Sequence, residues 1–274
     1  MSADDDGTTM NPETDDERST ERSPSDAGDD DSTLSLREVS FAFGSVTVLE
    51  DATLDLDAGT LTALVGPNGS GKTTVLELLA GLRSPNSGSV SRPGGTARSV
   101  AYLPQTPQFR SGFTARETLS FYMDLVDDER SPTDLLERVG LEGAADRRVE
   151  ALSGGMTRLL GVAQALVGDP PVVVLDEPTS GLDPDVADHI FATVEAIARD
   201  GRTVVIASHD LEAIEETADR VVTLVDGRFV QDGAPADVVE ATGASTLRAA
   251  FSDAVQGAER KAVQLDAPPT GGDS

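Results

Sequence analysis

Between Leu34 and Val239 the chain alternates short apolar blocks with turn residues, and the spacing inside each block predicts its form. LSLREVSFAF (34–43) and VTVLEDATLDLD (46–57) carry apolar residues at a period near two, which predicts strands with one buried face. LTALV (61–65), VVVL from Val172 and TVVIA (203–207) are continuous apolar runs, as expected of strands covered on both faces. VAYL from Val100 predicts a strand that stops at Pro104, and a weak strand lies around Val90. RVVTLV and RFVQ flank Asp226-Gly227, which predicts a hairpin turn. Helical periods open at Lys72, span Thr157 to Val167, start again at Pro184, and return in LEAIEETAD and from 235 to about 250. Strands alternating with helices predict an α/β domain. Thr114 to Ala145 interrupts that rhythm: Leu119, Tyr122, Met123 and Val126 fall near i, i+3, i+4 and i+7, and Ser131-Pro132 opens a second helix. This stretch reads as a small helical subdomain inserted into the α/β body, and Tyr122 and Met123 as part of its core.

Composition sets the limits of that domain. Residues 1–32 are nearly all Asp, Glu, Ser, Thr, Pro and Gly, too polar to offset their ordering entropy, and are expected to be a disordered acidic tail. The ordered domain is expected over 33–250, with its helical subdomain over 113–165, and 251–274 as a frayed, mostly disordered tail. The longest apolar runs are far shorter than the roughly 20 residues of a membrane span, and the N-terminus has no apolar signal-peptide core. A soluble, intracellular protein is expected, unless a membrane partner recruits it. Zero cysteines exclude disulfides and thiolate metal sites.

The formal charge of −28 argues against nucleic acid as a partner, because no basic tract exists to neutralise phosphates. Two of the 21 basic residues are lysines, Lys72 and Lys261, which leaves 19 arginines. An acidic, lysine-poor surface suits a salt-rich cytoplasm that screens its self-repulsion, so a halophilic source is expected. In that setting a lysine at position 72 stands out as chemically required.

Lys72 belongs to GPNGSGKTT (66–74), which fits G-x-x-x-x-G-K-[ST] between a predicted strand and a predicted helix. Gly66, Pro67, Asn68, Gly69, Ser70 and Gly71 form a loop whose backbone N–H groups can cradle phosphates at a helix N-terminus. Lys72 can reach the β- and γ-phosphates, Thr73 can ligate Mg²⁺, and Thr74 completes the first turn. Asp176 and Glu177 end the strand from Val172, where an α/β sheet meets its ligand. Asp176 can hold a cation and Glu177 can position or deprotonate a water. His209 ends another core strand and can donate to a phosphate oxygen, whereas His189 reads as a helix-surface residue. Gln105 can offer its amide oxygen to a metal or serve as a polar loop residue. Phe43 can stack on a base or fill a turn. Ser153, Gly154 and Gly155 can bind an anion or form an ordinary helix cap.

Taken together, GPNGSGKTT, Gln105, LSGGM (152–156), VVVLDEP (172–178), SGLD (180–183) and His209 resemble the ATP-binding subunits of ABC transporters, over roughly Leu34 to Val239. The resemblance implies a P-loop NTPase of the ABC type: a mixed-sheet ATPase core, an antiparallel β subdomain and an inserted helical subdomain. It makes Phe43 the adenine-stacking aromatic, Gly66 to Thr74 the phosphate loop and Gln105 the residue that senses Mg²⁺ and the transport partner. Asp176 becomes the metal carboxylate, Glu177 the catalytic base and His209 the switch histidine. Ser153, Gly154 and Gly155 would contact ATP held by a second ATPase subunit, identical or not, and Asp183 would link the two sites.

The implied cofactors are ATP and Mg²⁺. The implied partner is a separate integral membrane permease docking beside Thr106 to Leu125, which would hold the protein on the inner face of the membrane. Met156 and Gln164 replace the Gln and Arg of many members, and Phe43 replaces a commoner Tyr; none removes a chemically necessary group. The signature and the short C-terminus are similar to export systems and to copper-site maturation ATPases. A soluble ABC ATPase of cofactor assembly or another non-transport role is the competing expectation, and a halophilic archaeon the expected origin.

Overall fold

The computed structural model describes residues 34–94 and 98–265; the acidic segment 1–32 lies outside the described residues. Two sheets form the frame. β1 (Leu34–Phe43), β2 (Val46–Leu56) and β4 (Ser87–Ser91) make an antiparallel sheet in the order β2-β1-β4. β3 (Leu61–Val65), β5 (Val100–Leu103), β6 (Val172–Asp176), β7 (Thr203–Ala207), β8 (Arg220–Val225) and β9 (Arg228–Gly233) make the second, in the order β5-β6-β7-β3-β8-β9. Its first five strands run parallel and β9 pairs antiparallel with β8 across the expected Asp226-Gly227 turn.

The continuous apolar runs follow from this placement. Side chains alternate across a strand, so each central strand feeds two cores. Val173, Leu175, Val204 and Ile206 join one core, shared with the helical subdomain. Val172, Val174, Val205 and Ala207 join the other, where the antiparallel sheet and α1 (Lys72–Leu79) pack.

The helical subdomain comprises α2 (Ala115–Asp124), α3 (Pro132–Arg138) and α4 (Gly154–Ala165). Thr114 and Glu117 form a reciprocal capping box at the start of α2, and Ser131 accepts from Thr133 N–H at the start of α3, where the sequence predicts a helix opening at Ser131-Pro132. Leu119 and Met123 are buried, with Tyr122 and Val126 packed on the same core. Asp128 ties this subdomain together. Its carboxylate accepts from Arg130 Nε at 2.8 Å and Gly168 N–H at 2.8 Å, while Arg130 Nη2 donates to the Leu166 carbonyl at 2.7 Å.

Two expectations need correction. α4 begins at Gly154, not Thr157, so two glycines form its first turn; Gly155 lies so close to Val186 that a Cβ there would collide with it. The C-terminal stretch is helical well past residue 250: α7 (Pro235–Thr242) ends at Gly243 in a left-handed cap, and α8 runs Leu247–Leu265. Its polar composition hid it from periodicity. It is anchored by buried Leu247 and Ala250, by Glu215 accepting from Leu247 N–H at 2.9 Å, and by Gln231 donating to the Ala250 carbonyl. His189 is exposed on α5 (Pro184–Arg199), as expected of a helix-surface residue, and its Nε2 also meets the Val139 carbonyl at the end of α3 at 3.2 Å.

The guanidinium of Arg130 holds Asp128 well below the usual carboxylate range, and the side chain is only 5% exposed. A depressed folded-state pKa gives stability that is complete above the unfolded value near ~3.9 and lost as pH falls through the folded value. Asp128→Asn is therefore expected to cost about 1–3 kcal/mol at pH 7. In denaturant titrations the gap from the wild type should shrink below about pH 4.

Candidate functional site

The parallel sheet presents the carboxyl ends of β5, β6, β7 and β3 side by side, and each ends in one of the chemical groups singled out in the sequence. Gln105 follows β5, Asp176 ends β6 with Glu177 next to it, His209 follows β7, and the phosphate loop follows β3. These residues line one cleft of about 590 Å³, with Phe43, Asn68, Gly69, Gly71, Thr73 and Thr74.

The loop turns tightly, Ser70 N–H donating to the Pro67 carbonyl at 3.2 Å, and Gly71 caps α1 with a left-handed φ of 106°. Gly66 is required by close approach: a Cβ there would run into the Leu224 carbonyl of β8 and the Ser70 hydroxyl. That constraint comes from the neighbouring strand and from within the loop. Lys72 Nζ donates to the Gly66 and Pro67 carbonyls at 2.8 and 3.2 Å. Burial lowers its pKa from the ordinary lysine value, opposed by the negative charges of Glu177 and Asp176.

Thr73 Oγ1 donates to Asp176 Oδ2 at 2.9 Å, and the Tyr102 hydroxyl donates to the same oxygen at 3.3 Å. Burial raises the Asp176 pKa, opposed by those two hydrogen bonds. Burial and then the Asp176 charge push the Tyr102 phenol up, which keeps it a donor. Thr73 and Asp176 supply two hard oxygen ligands at one point, and no cluster of three or more His, Cys, Asp or Glu exists among the described residues. That donor set fits Mg²⁺, which is typically held by one or two protein oxygens and completes its shell with water and phosphate.

Glu177 is 13% exposed and its Oε2 lies 2.8 Å from His209 Nδ1. Its backbone has a φ of +46°, rare for a side chain with a Cβ, and its N–H donates to the Ala207 carbonyl. That turn out of β6 carries the carboxylate over the cleft. Phe43 is 47% exposed, one edge on the cleft, with its ring in T-shaped contact with Phe41 and the Arg83 guanidinium 4.8 Å from its centroid.

Ser153, Gly154, Gly155 and Asp183 do not line this cleft. Ser153 caps α4, its hydroxyl accepting from Met156 N–H at 3.3 Å, while Asp183 caps α5 without a side-chain hydrogen bond. Tyr102 and Val48 border the site and escaped the sequence reading, and Ser180 of the SGLD stretch lines it as well. A two-residue count along β5 and β6 could have singled out Tyr102, but only pairing in register, with Tyr102 opposite Val174, sets it beside Asp176.

A phosphate loop, paired carboxylates and a histidine on neighbouring strand ends define a nucleotide-hydrolysing protein. The sequence profile described as "ABC transporter" matches residues 49–180. The chain is 37% identical over 220 residues to the Nod factor export ATP-binding protein I of Burkholderia lata, covering 76% of this chain and 72% of that protein. A solved ATP-binding subunit of an ABC transporter superposes with a TM-score of 0.72 at 26% identity, over 81% of this chain and 99% of the other. A dimeric ATP-binding cassette bound to ADP and Pi shares the fold, with a TM-score of 0.64 at 23% identity, over 73% of this chain and 98% of the other. The chain belongs to the ABC transporter family. It is an ATP-binding subunit of that family and an ATPase.

Because Gly66 abuts the β8 backbone, Gly66→Ala should displace the loop. About 1–3 kcal/mol of stability should be lost, and ATP affinity, read by calorimetry, should fall with it.

Proposed function

We propose that the chain powers an export-type transporter, hydrolysing ATP at sites completed by a second ATPase subunit and passing the closure to a separate membrane-spanning partner. One observation carries the shared-site reading. The cleft holds Lys72, Asp176, Glu177 and His209, but Ser153, Gly154, Gly155 and Asp183 lie outside its lining. A second subunit, identical or not, can bring its own Ser153 to Gly155 to the γ-phosphate. The export direction follows the printed names of the relatives, all export ATP-binding proteins, and favours export over copper-site maturation or cofactor assembly.

In this reading Phe43 stacks on adenine and residues 66–74 wrap the phosphates, with Lys72 released from the Gly66 carbonyl to the β- and γ-oxygens. Thr73, Asp176 and Gln105 would hold Mg²⁺, which when bound would neutralise charge on those oxygens. Glu177 takes the proton of the attacking water as its oxygen bonds to the γ-phosphorus and the bond to the β-phosphate oxygen breaks, leaving ADP and phosphate. The Glu177 carboxylate lies 2.8 Å from His209, which can turn to the γ-phosphate. Closure on ATP shifts the partner's population, and hydrolysis releases it. No described helix is long and apolar enough to cross a membrane, so a separate permease supplies the path and holds this chain at the inner face. Phe121 and Leu125, both exposed on the segment after Gln105, offer it an apolar docking face. The charge of −28 favours a salt-rich interior, that of a halophilic archaeon.

Glu177→Gln should cut turnover by about 10²–10⁴-fold while ATP accumulates a dimer in sedimentation experiments. Turnover at the wild-type level would remove Glu177 as the base. The thermal midpoint should rise from dilute buffer to molar KCl as screening relieves self-repulsion; a fall would refute the salt-adapted reading.

A further inference from the structure

Asp176 is only 3% exposed, and its carboxylate is held through a single oxygen. Thr73 Oγ1 donates to Oδ2 at 2.9 Å from the first turn of α1, and the Tyr102 hydroxyl donates to the same Oδ2 at 3.3 Å from β5. Among the described residues no donor reaches Oδ1. The two donors are not equivalent. Thr73 lines the nucleotide cleft, and after giving its one proton to Asp176 its oxygen still has lone pairs for a cation. Tyr102 is not part of the cleft lining and packs against the second core, so it reaches the site only through Asp176. Sheet register sets this contact. Tyr102 pairs opposite Val174, and Val174 and Asp176 share one face of β6.

We propose that Tyr102 is a positioning residue for the cation: its hydroxyl pins Asp176 Oδ2, fixes the rotation of the carboxylate, and keeps Oδ1 free for Mg²⁺ or a water of its shell. The last torsion of an aspartate has no sharp minimum of its own, so its orientation must be imposed from outside. Thr73 imposes it from the cleft side and Tyr102 from the core side. Removing an outer partner of this kind weakens metal binding although no ligand is lost. The inference rests on the reading of Thr73 and Asp176 as the Mg²⁺ site, and adds how that site is held in shape.

The test uses the full chain and ADP, which is not hydrolysed, titrated by calorimetry with Mg²⁺ present and again in EDTA. The ratio of the two affinities measures what the cation contributes, without any turnover. Tyr102→Phe removes the hydroxyl and keeps the ring. It should lower ADP affinity in Mg²⁺ about tenfold and leave the value in EDTA unchanged. Tyr102→Leu should match it in that ratio, because the hydroxyl and not the ring acts on Asp176. In steady-state assays of Tyr102→Phe more Mg²⁺ should be needed for half-maximal turnover, with kcat restored at saturating Mg²⁺. A lower melting temperature with an unchanged ratio would assign Tyr102 to packing and overturn the proposal. A ratio lost in Tyr102→Leu but kept in Tyr102→Phe would overturn it too. Asp176→Asn separates the two ideas, since it should abolish the advantage of Mg²⁺. If it does and Tyr102→Phe does not weaken that advantage, the metal site stands and the role of Tyr102 falls. If Asp176→Asn leaves the advantage intact, both fall.

Discussion

Parallel pairing of β5, β6, β7 and β3 is the constraint on which the site depends. In a parallel sheet every strand delivers its following loop to the same edge, so residues far apart in sequence arrive together without any bond between their segments. Thr73 and Asp176 are 103 positions apart and meet at 2.9 Å. Glu177 and His209 meet at 2.8 Å because β6 and β7 are neighbours in register. The strands keep that register because both faces are buried: a one-residue slip would exchange the side chains that serve the two cores.

The helical subdomain and the antiparallel sheet use this frame differently. The antiparallel sheet brings Phe43 to the rim and Val48 against Gly71, closing the side of the cleft away from the acids. The helical subdomain carries Ser153 to Gly155 away from the cleft of its own chain and is secured to the ATPase core by ion pairs. Arg138 pairs with Asp200, and Asp169 is shared by Arg130 and Arg202. Most of these partners are partly exposed, so each pair adds little stability by itself. Together they link α3 and the turn after α2 to the loops that precede β6 and β7.

Two local features of the cleft lean on the sheet beneath it. Glu177 sits at a positive φ and Asp176 is buried with two donors on one oxygen. Both arrangements cost free energy locally, and both are sustained by the packed sheet beneath. Arg158 is a third costly arrangement, but it lies outside the cleft and has no partner among the described residues.

Strand identities, the helix starts at Lys72 and Pro184, the Asp226-Gly227 hairpin and the phosphate loop were legible in the sequence because each is determined locally, by side-chain period, proline or glycine. The acids and the histidine could be picked out because they follow apolar strands. Their meeting was implied by the family resemblance and not by spacing along the chain, since spatial strand order departs from chain order. The long α8 was missed because a few buried contacts, not an apolar stripe, anchor it. The need for glycine at 66 and 155 came from Leu224 and Val186, far along the chain. Tyr102 and Arg158 carry no motif at all. The sequence by itself determined which groups this protein carries and on what elements. Only the tertiary structure decided which of them share a cleft, because long-range strand pairing and burial set those distances.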